Sequence, residues 1–550
     1  MILSTLIFFA IVTIVAPVFG KYIAWVFFDK NFNRFIIHSE NELMKPQTWK
    51  GYFASLMTFN IVCISFTFLI IFFQKHLPTE SELIQELDLS AAINASISFS
   101  TGTFWQSHNP ENQLSVLSQI FALTMQNFLS AGTSIAVFIA FIRGVIHNNN
   151  PYIGNFYNDF LHSFCFILIP AALIMSLFLM AGGVPQDFTG VINYSNLEGM
   201  KEKLFVGLAA GQMAIKHLVA NGGSIFDTGS AHPFESPSRI ALMIGLFLIV
   251  ISPISLIFTY GFVVKATNFS WSLYWVIVFV MTTSLYIIYF GETDYSIPLI
   301  LTDRTIEDNF NYTGKELIYD KFPSLMWVLS ITMSSDGSSN ACLENYSPLS
   351  ILVLFSNLVM SKFIMEGVGS GFFAMLAYLI VSVLLRGLVS GSNNNFFGKK
   401  ISINEINYVI IIFLIMPIGV LLFTGLTFSI PQVKNIITYQ GSQAITDVAY
   451  NFVSSFTNNG SSFSGINTSN NYFNYMTALV MFIGRYPIIY YSLAISGSFA
   501  CKRKIINYIE TEQQSNIELS FFLLITVLIV GAIMFMPLMI LGPLLEFINM

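Results

Sequence analysis

The chain has 550 residues, of which 54% are hydrophobic and only 10% charged, against roughly 25% charged residues in soluble domains. That deficit excludes a soluble globular protein and reads as a polytopic membrane protein. The formal net charge of −6 comes with no basic stripe, which argues against nucleic acid as a partner. Cys63, Cys165, Cys342 and Cys501 lie far apart with no metal-like spacing, and read as small apolar packers.

Apolar runs of about 20 residues or more, long enough to span a bilayer, occur near 2–28, 51–74, 114–146, 154–182, 238–264, 269–291, 348–390, 404–429, 471–500 and 519–546. Met1 to Gly20 lacks the basic start of a signal peptide, and its apolar pattern continues to Phe28, so it reads as a retained first helix. The run 348–390 is too long for one ordinary helix and is interrupted by Gly367-Val368-Gly369-Ser370-Gly371, which permits a break.

Between alternate spans lie shorter, half-apolar stretches: Ala91–Phe99, Phe205–Val219, Phe322–Met333 and Ile445–Phe456. They are too short to cross and fit re-entrant pore helices. Each is followed at once by a small or polar loop: Ser100-Thr101-Gly102-Thr103, Ala220-Asn221-Gly222-Gly223-Ser224, Ser334-Ser335-Asp336-Gly337-Ser338 and Thr457-Asn458-Asn459-Gly460-Ser461. Such a loop is not tolerated against lipid, because its backbone groups lose their hydrogen bonds there, so it must lie in protein or line a wet cavity.

The expected fold is therefore an all-α polytopic membrane protein. It has about ten transmembrane helices and four pseudo-repeated helix–pore loop–helix units, like a potassium channel. The expected divisions are a first helix and loop (1–50), repeats over 51–150, 151–266, 267–402 and 403–504, and a last helix (505–550). Lys30, Arg34, Lys45, Lys50, Arg143, Lys265, Lys399, Lys400 and Lys502-Arg503-Lys504 fall in the connections without re-entrant segments, which places those connections in the cytoplasm and both termini outside. The outer segments carry acids such as Glu80, Glu82, Asp88, Asp303 and Glu307, which raise local cation concentration or simply keep that face soluble.

A partly dehydrated K⁺ needs several oxygen ligands of moderate field strength. Backbone carbonyls supply them, and glycine lets the chain turn carbonyls inward at positive φ. A re-entrant helix also aims its C-terminal partial negative charge at the loop that follows. One Gly-Ser loop is commonplace, whereas four at equivalent places in a repeated unit point to a cation filter.

At this point the chain resembles a family, the potassium-binding and translocating A subunits (KdpA) of Kdp-type potassium-transporting P-type ATPases. The resemblance runs over nearly the whole chain. It rests on Trp105-Gln106-Ser107, Gln126-Asn127-Phe128-Leu129-Ser130-Ala131, Asn221-Gly222-Gly223, His232-Pro233-Phe234-Glu235-Ser236-Pro237, Gly367–Gly371, Gly398-Lys399-Lys400-Ile401, Asn458-Asn459-Gly460-Ser461 and Phe482-Ile483-Gly484-Arg485, in matching order. It implies a fourfold channel fold related to Trk, Ktr and HKT transporters. It also implies a bacterial or archaeal plasma-membrane location and K⁺ as the transported ion. The partners it implies are the ATP-hydrolysing B subunit, the smaller C subunit, a very small F peptide and membrane lipid.

By resemblance the filter positions are Thr101, Gly102 and Thr103; Asn221, Gly222, Gly223 and Ser224; Ser334, Ser335, Asp336 and Gly337; and Asn458, Asn459, Gly460 and Ser461. Gln106 supports the filter, and Lys362, Glu366, Gly367, Gly369, Ser370, Gly371 and Arg485 form the gate and barrier. Neither a G-x-x-x-x-G-K-[ST] loop nor an Asp-Lys-Thr-Gly-Thr motif occurs, so no catalytic site and no bound ATP are expected in this chain.

The sequence departs from the family pattern at Phe104 (usually Asn), Ser224 (Gly), Asp336 (Cys or another small uncharged residue) and Thr457 (Asn). Near the break, Lys362 stands for a Glu and Glu366 for a Gly. Lys362 and Glu366, four apart, share a helix face and pair either as a gate bias or as a structural bridge. Asp336 is either a ligand or the cap of a backbone N–H group. Arg485 is either a positive barrier below the filter or a carbonyl-capping residue. His217 and His232 flank the second loop and read as packed residues rather than proton relays, and Gln126 and Asn127 as hydrogen-bonders between helices. The alternative function is a Trk- or Ktr-like channel protein uncoupled from ATP hydrolysis. An intramembrane enzyme would need clustered carboxylates or histidines that the sequence lacks.

Overall fold

The computed structural model describes residues 2–29, 45–77, 87–187, 191–195, 199–294, 310–315, 321–365, 367, 373–391, 395–434, 436–463, 465, 469–504 and 516–548. Every apolar run meets a helix. In chain order these are α1 (Ile2–Phe28), α2 (Trp49–Phe72), the short α3 (Leu89–Ser100), α4 (Val116–Ile146), α5 (Phe156–Ala181), the short α6 (Ala209–Val219), α7 (Arg239–Val264) and α8 (Thr267–Asp294). Then follow the short α9 (Lys321–Ser334), α10 (Pro348–Ile364), α11 (Phe373–Ser390), α12 (Ile403–Ser429), the short α13 (Ser442–Phe456), α14 (Asn471–Ala500) and α15 (Asn516–Met539).

Among the described residues, eight helices are long and apolar enough to cross a membrane, and three apolar helices (Pro348–Lys362, Ala377–Val389 and Ser520–Ala532) are shorter. The long run 348–390 is two helices, α10 and α11, on either side of the glycine-rich stretch. Of that stretch Gly367 is described, while Glu366, Gly369, Ser370 and Gly371 lie outside the described residues.

The four expected pore helices are α3, α6, α9 and α13. The second begins at Ala209, later than the expected 205, because Lys201–Phe205 pairs antiparallel with Val191–Ser195 as a β-hairpin. Each is nearly fully buried, as a re-entrant segment held away from lipid must be.

Local chemistry sets the helix starts. Ser347 caps α10 ahead of Pro348, Ser238 accepts from Ala241 N at α7, and Ser402 with Glu405 forms a capping box at α12. Lys399 clasps the ends of two long helices from a short hairpin, donating to Gly144 O (2.8 Å) on α4 and Phe499 O (2.6 Å) on α14.

The flanking helix α1 packs along α7. At their crossing Thr259 Oγ1 donates to Gly20 O (3.1 Å), and a Cβ on Gly20 would fall 2.6 Å from Ser255 O. Gly20→Val is expected to push the two helices apart and to cost about 1–3 kcal/mol, read as a lowered thermal midpoint of the purified protein. An unchanged midpoint would mean that this crossing does not hold α1.

Candidate functional site

The four loops share one backbone signature. Positive φ falls at Gly102 (70°) and Phe104 (53°), at Ala220 (50°) and Gly222 (72°), at Ser335 (64°) and Gly337 (71°), and at Asn458 (54°) and Gly460 (93°). This places Thr103, Asn221, Asp336 and Asn459 at equivalent central positions. Positive φ at every second residue turns successive carbonyl oxygens toward one side of the strand, which an ordinary extended chain does not do.

The loops close on one another in chain order. A Cβ on Gly222 would lie 1.7 Å from Asp336 O, one on Gly337 would lie 1.9 Å from Asn459 O, and one on Gly460 would lie 2.2 Å from Thr103 O. Three loops thus use glycine both for its φ and because the neighbouring carbonyl occupies the side-chain position. The first loop has Phe104 at that place, strained at φ 53°, stacked on Phe99 and facing Gly223.

Side chains lock each junction. Gln106 bridges both backbone atoms of Ser224 (Nε2 to O 2.8 Å, and Oε1 from N 3.0 Å), joining loops one and two. Lys216 reaches Ser338 Oγ (3.1 Å) and His217 Nδ1 meets Asp336 Oδ2 (3.0 Å), joining loops two and three. Asn459 Nδ2 donates to Ile331 O (2.7 Å), joining loops three and four. Asn458 Nδ2 donates to Thr103 Oγ1 (2.9 Å), joining loops four and one.

Many loop side chains bond inside the protein. Thr101 Oγ1 donates to Ser98 O (3.1 Å), Ser334 Oγ to Ser330 O (2.7 Å), Ser224 Oγ to Glu235 Oε1 (2.6 Å), and Ser461 Oγ meets Tyr450 OH (2.9 Å). Asn221 Nδ2 donates to Ser130 Oγ (2.9 Å) and Ser335 Oγ to Ser361 Oγ (3.5 Å). The carboxylate of Asp336 accepts from Ser338 N (3.2 Å) and from His217, so its side chain is engaged between α6 and α9. The carbonyl groups remain the shared oxygen set of the ring.

Two buried cations, Lys362 and Arg485, approach the loops. Lys362 Nζ donates to Asn458 Oδ1 (3.2 Å) and to Gly484 O (2.7 Å), so its described partners are the fourth loop and α14. Its expected partner, Glu366, lies outside the described residues. Arg485 donates to Ser130 O (3.1 Å) and Ser134 Oγ (2.6 Å) on α4, and Ser130 in turn holds Asn221. Gly367 sits against the second and third loops, where a Cβ would meet Ser334 O at 2.4 Å and Ala220 O at 2.8 Å. Gln126 donates to Thr67 Oγ1 (2.7 Å) between α4 and α2, whereas Asn127 Nδ2 stays within its own helix.

Sequence reasoning missed the ion pair behind the second loop. Lys216 Nζ lies 2.5 Å from Glu235 Oε2, with both side chains buried, and Ser230 bonds to both. The signal available was the charge itself: two ionised residues close to a polar loop at membrane depth need partners. Among the described residues no group of three or more His, Cys, Asp or Glu is placed to hold a metal ion.

The family model described as the potassium-transporting ATPase A subunit matches residues 6–548. A Leptospira interrogans (serovar copenhageni) relative is 33% identical, covering 99% of this chain and 97% of its own. One from Rhodospirillum centenum is 32% identical (100% and 97%), and one from Pseudomonas aeruginosa is 32% identical (99% and 98%). Each is named a potassium-transporting ATPase potassium-binding subunit. The crystal structure of the potassium transporter TrkH from Vibrio parahaemolyticus superposes with a TM-score of 0.51, at 14% identity and covering 88% of this chain and 96% of TrkH, which is a likeness of fold. A family match over nearly the full length, with relatives above 30% identity end to end, shows that the chain belongs to the potassium-transporting ATPase A subunit family.

Proposed function

We propose that the chain is the potassium-binding, filter-bearing subunit of an ATP-driven K⁺ uptake complex. It takes K⁺ from outside through the four-loop ring and passes it to a separate P-type ATPase subunit. The observation that carries this reading is the ring itself, four loops with matching positive-φ positions, in three of which a glycine lodges against the central carbonyl of the next loop. Thr101–Thr103, Asn221–Ser224, Ser334–Gly337 and Asn458–Ser461 bind the ion, and Gly367–Gly371 with Lys362 and Arg485 controls its exit. The chain itself carries no catalytic site and binds no ATP. The ATP-hydrolysing B subunit, the smaller C subunit and a very small F peptide complete the assembly in the plasma membrane, with both termini of this chain extracytoplasmic. The likeness to TrkH concerns fold and does not favour a channel uncoupled from ATP hydrolysis.

The test is ATPase activity of the co-purified complex titrated with K⁺, Rb⁺ and Na⁺. Stimulation by K⁺ and Rb⁺ well ahead of Na⁺ supports the reading, and activity indifferent to all three contradicts it. In the same assay Arg485→Gln is expected to raise the half-saturating K⁺ about tenfold, the effect of ~1.4 kcal/mol, because Ser130 and through it Asn221 lose their anchor. Unchanged transport at low K⁺ would count against a role for Arg485.

A further inference from the structure

Three of the four central ring positions are uncharged: Thr103, Asn221 and Asn459. The third loop instead brings a carboxylate. Asp336 has two separate jobs in the structure. Its carbonyl oxygen lies against Gly222 in the ring, and its side chain turns away to His217 Nδ1 (3.0 Å) and Ser338 N (3.2 Å). Both Asp336 and His217 are fully buried.

The surroundings leave this task to His217. Lys216, the adjacent cation, is held by Glu235 at 2.5 Å and by Ser230 and Ser338. Trp327 on α9 sets its ring edge-on to His217 (5.1 Å between centroids, 87° between planes) and donates Nε1–H to Ser338 O (2.9 Å). His217 Nε2 has no hydrogen-bond partner among the described residues, so Nδ1 is the ring atom that makes its polar contact. The imidazole is thus fixed by packing with one nitrogen presented to the carboxylate.

A free carboxylate in a ring of carbonyls raises the local field and favours small or divalent cations over K⁺. We propose that the buried His217–Asp336 pair is a specificity-determining element. His217 is a positioning residue that keeps the Asp336 carboxylate behind the filter, so the third loop offers the ion a carbonyl and not a charge. This rests on the filter reading above, and it concerns residues that bond across 119 positions of sequence.

The probe is Ba²⁺, a divalent ion close to K⁺ in size, competing with K⁺ in the ATPase assay of the co-purified complex. His217→Leu is expected to tighten Ba²⁺ competition roughly tenfold or more relative to K⁺, and His217→Gln, which keeps a side-chain N–H donor, to stay near the parent ratio. The double variant His217→Leu/Asp336→Asn is expected to return the ratio to that of the parent. An unchanged ratio in His217→Leu, or a double variant that keeps the shift, overturns the proposal. Should His217→Leu fail to assemble, a double variant that assembles with the parent ratio supports it, because the unanswered carboxylate is then the cause. A double variant that also fails makes His217 a packing residue and overturns it. A parent complex with no K⁺ response overturns the filter reading itself, a result visible before any variant is compared.

Discussion

Gly337→Ala is expected to abolish high-affinity K⁺ response while leaving the helical scaffold folded. Two costs add at this position. An alanine must hold φ near 71°, which costs about 1–3 kcal/mol. Its Cβ would also fall 1.9 Å from Asn459 O and 2.9 Å from Ser461 N, far inside contact distance. Both atoms belong to the backbone of the next loop, so no flexible side chain can yield, and the ring must open at the junction of the third and fourth loops. A displacement costing about 3 kcal/mol corresponds to roughly a hundredfold in apparent affinity. The measurement is half-saturating K⁺ for ATPase stimulation, alongside circular dichroism of the same preparation. A variant with normal K⁺ affinity would mean that the Gly337–Asn459 contact does not shape the site.

The second large effect concerns stability. Lys216→Met is expected to destabilise the protein by about 3–5 kcal/mol, because it leaves Glu235 buried without its cation. Glu235 also accepts from Ser224 and Ser230, so its disturbance reaches the second loop directly. The double variant Lys216→Met/Glu235→Gln removes both charges and is expected to recover much of the loss, since replacing a buried ion pair by neutral groups is often close to neutral. Thermal unfolding of the purified variants decides it. A single variant as stable as the parent would show that the Lys216 cation is not what holds Glu235 in place.

The transmembrane scaffold was legible in the sequence because membrane spans are long apolar runs, whereas the re-entrant segments are shorter and only half apolar. The four loops stood out because a polar, glycine-containing stretch at membrane depth has to be enclosed by protein or face a wet cavity. The glycines at 222, 337 and 460 could be read as turns toward carbonyls, but the register could not. It depends on positive φ at Ala220, Ser335 and Asn458, where no glycine marks it, and at Phe104, where the glycine of the other loops is replaced.

Long-range partners were equally hidden. Helical spacing points Lys362 toward Glu366, which lies outside the described residues, but it gives no sign of the contacts Lys362 makes with Asn458 and Gly484, distant in sequence and adjacent only after the fourth repeat folds against the third. Asp336 invited two readings from sequence, ligand or cap, and the structure turns its carboxylate to Ser338 N and to His217, a partner that spacing does not reveal.

The measurement that bears most directly on the four-loop ring is the position of bound ion in the co-purified complex, with Rb⁺ or Tl⁺ located by its anomalous scattering. The expected result is a peak on the axis of the ring, coordinated by the carbonyl oxygens of Thr103, Asn221, Asp336 and Asn459. A strong peak elsewhere in the chain with none between these loops would contradict the assignment.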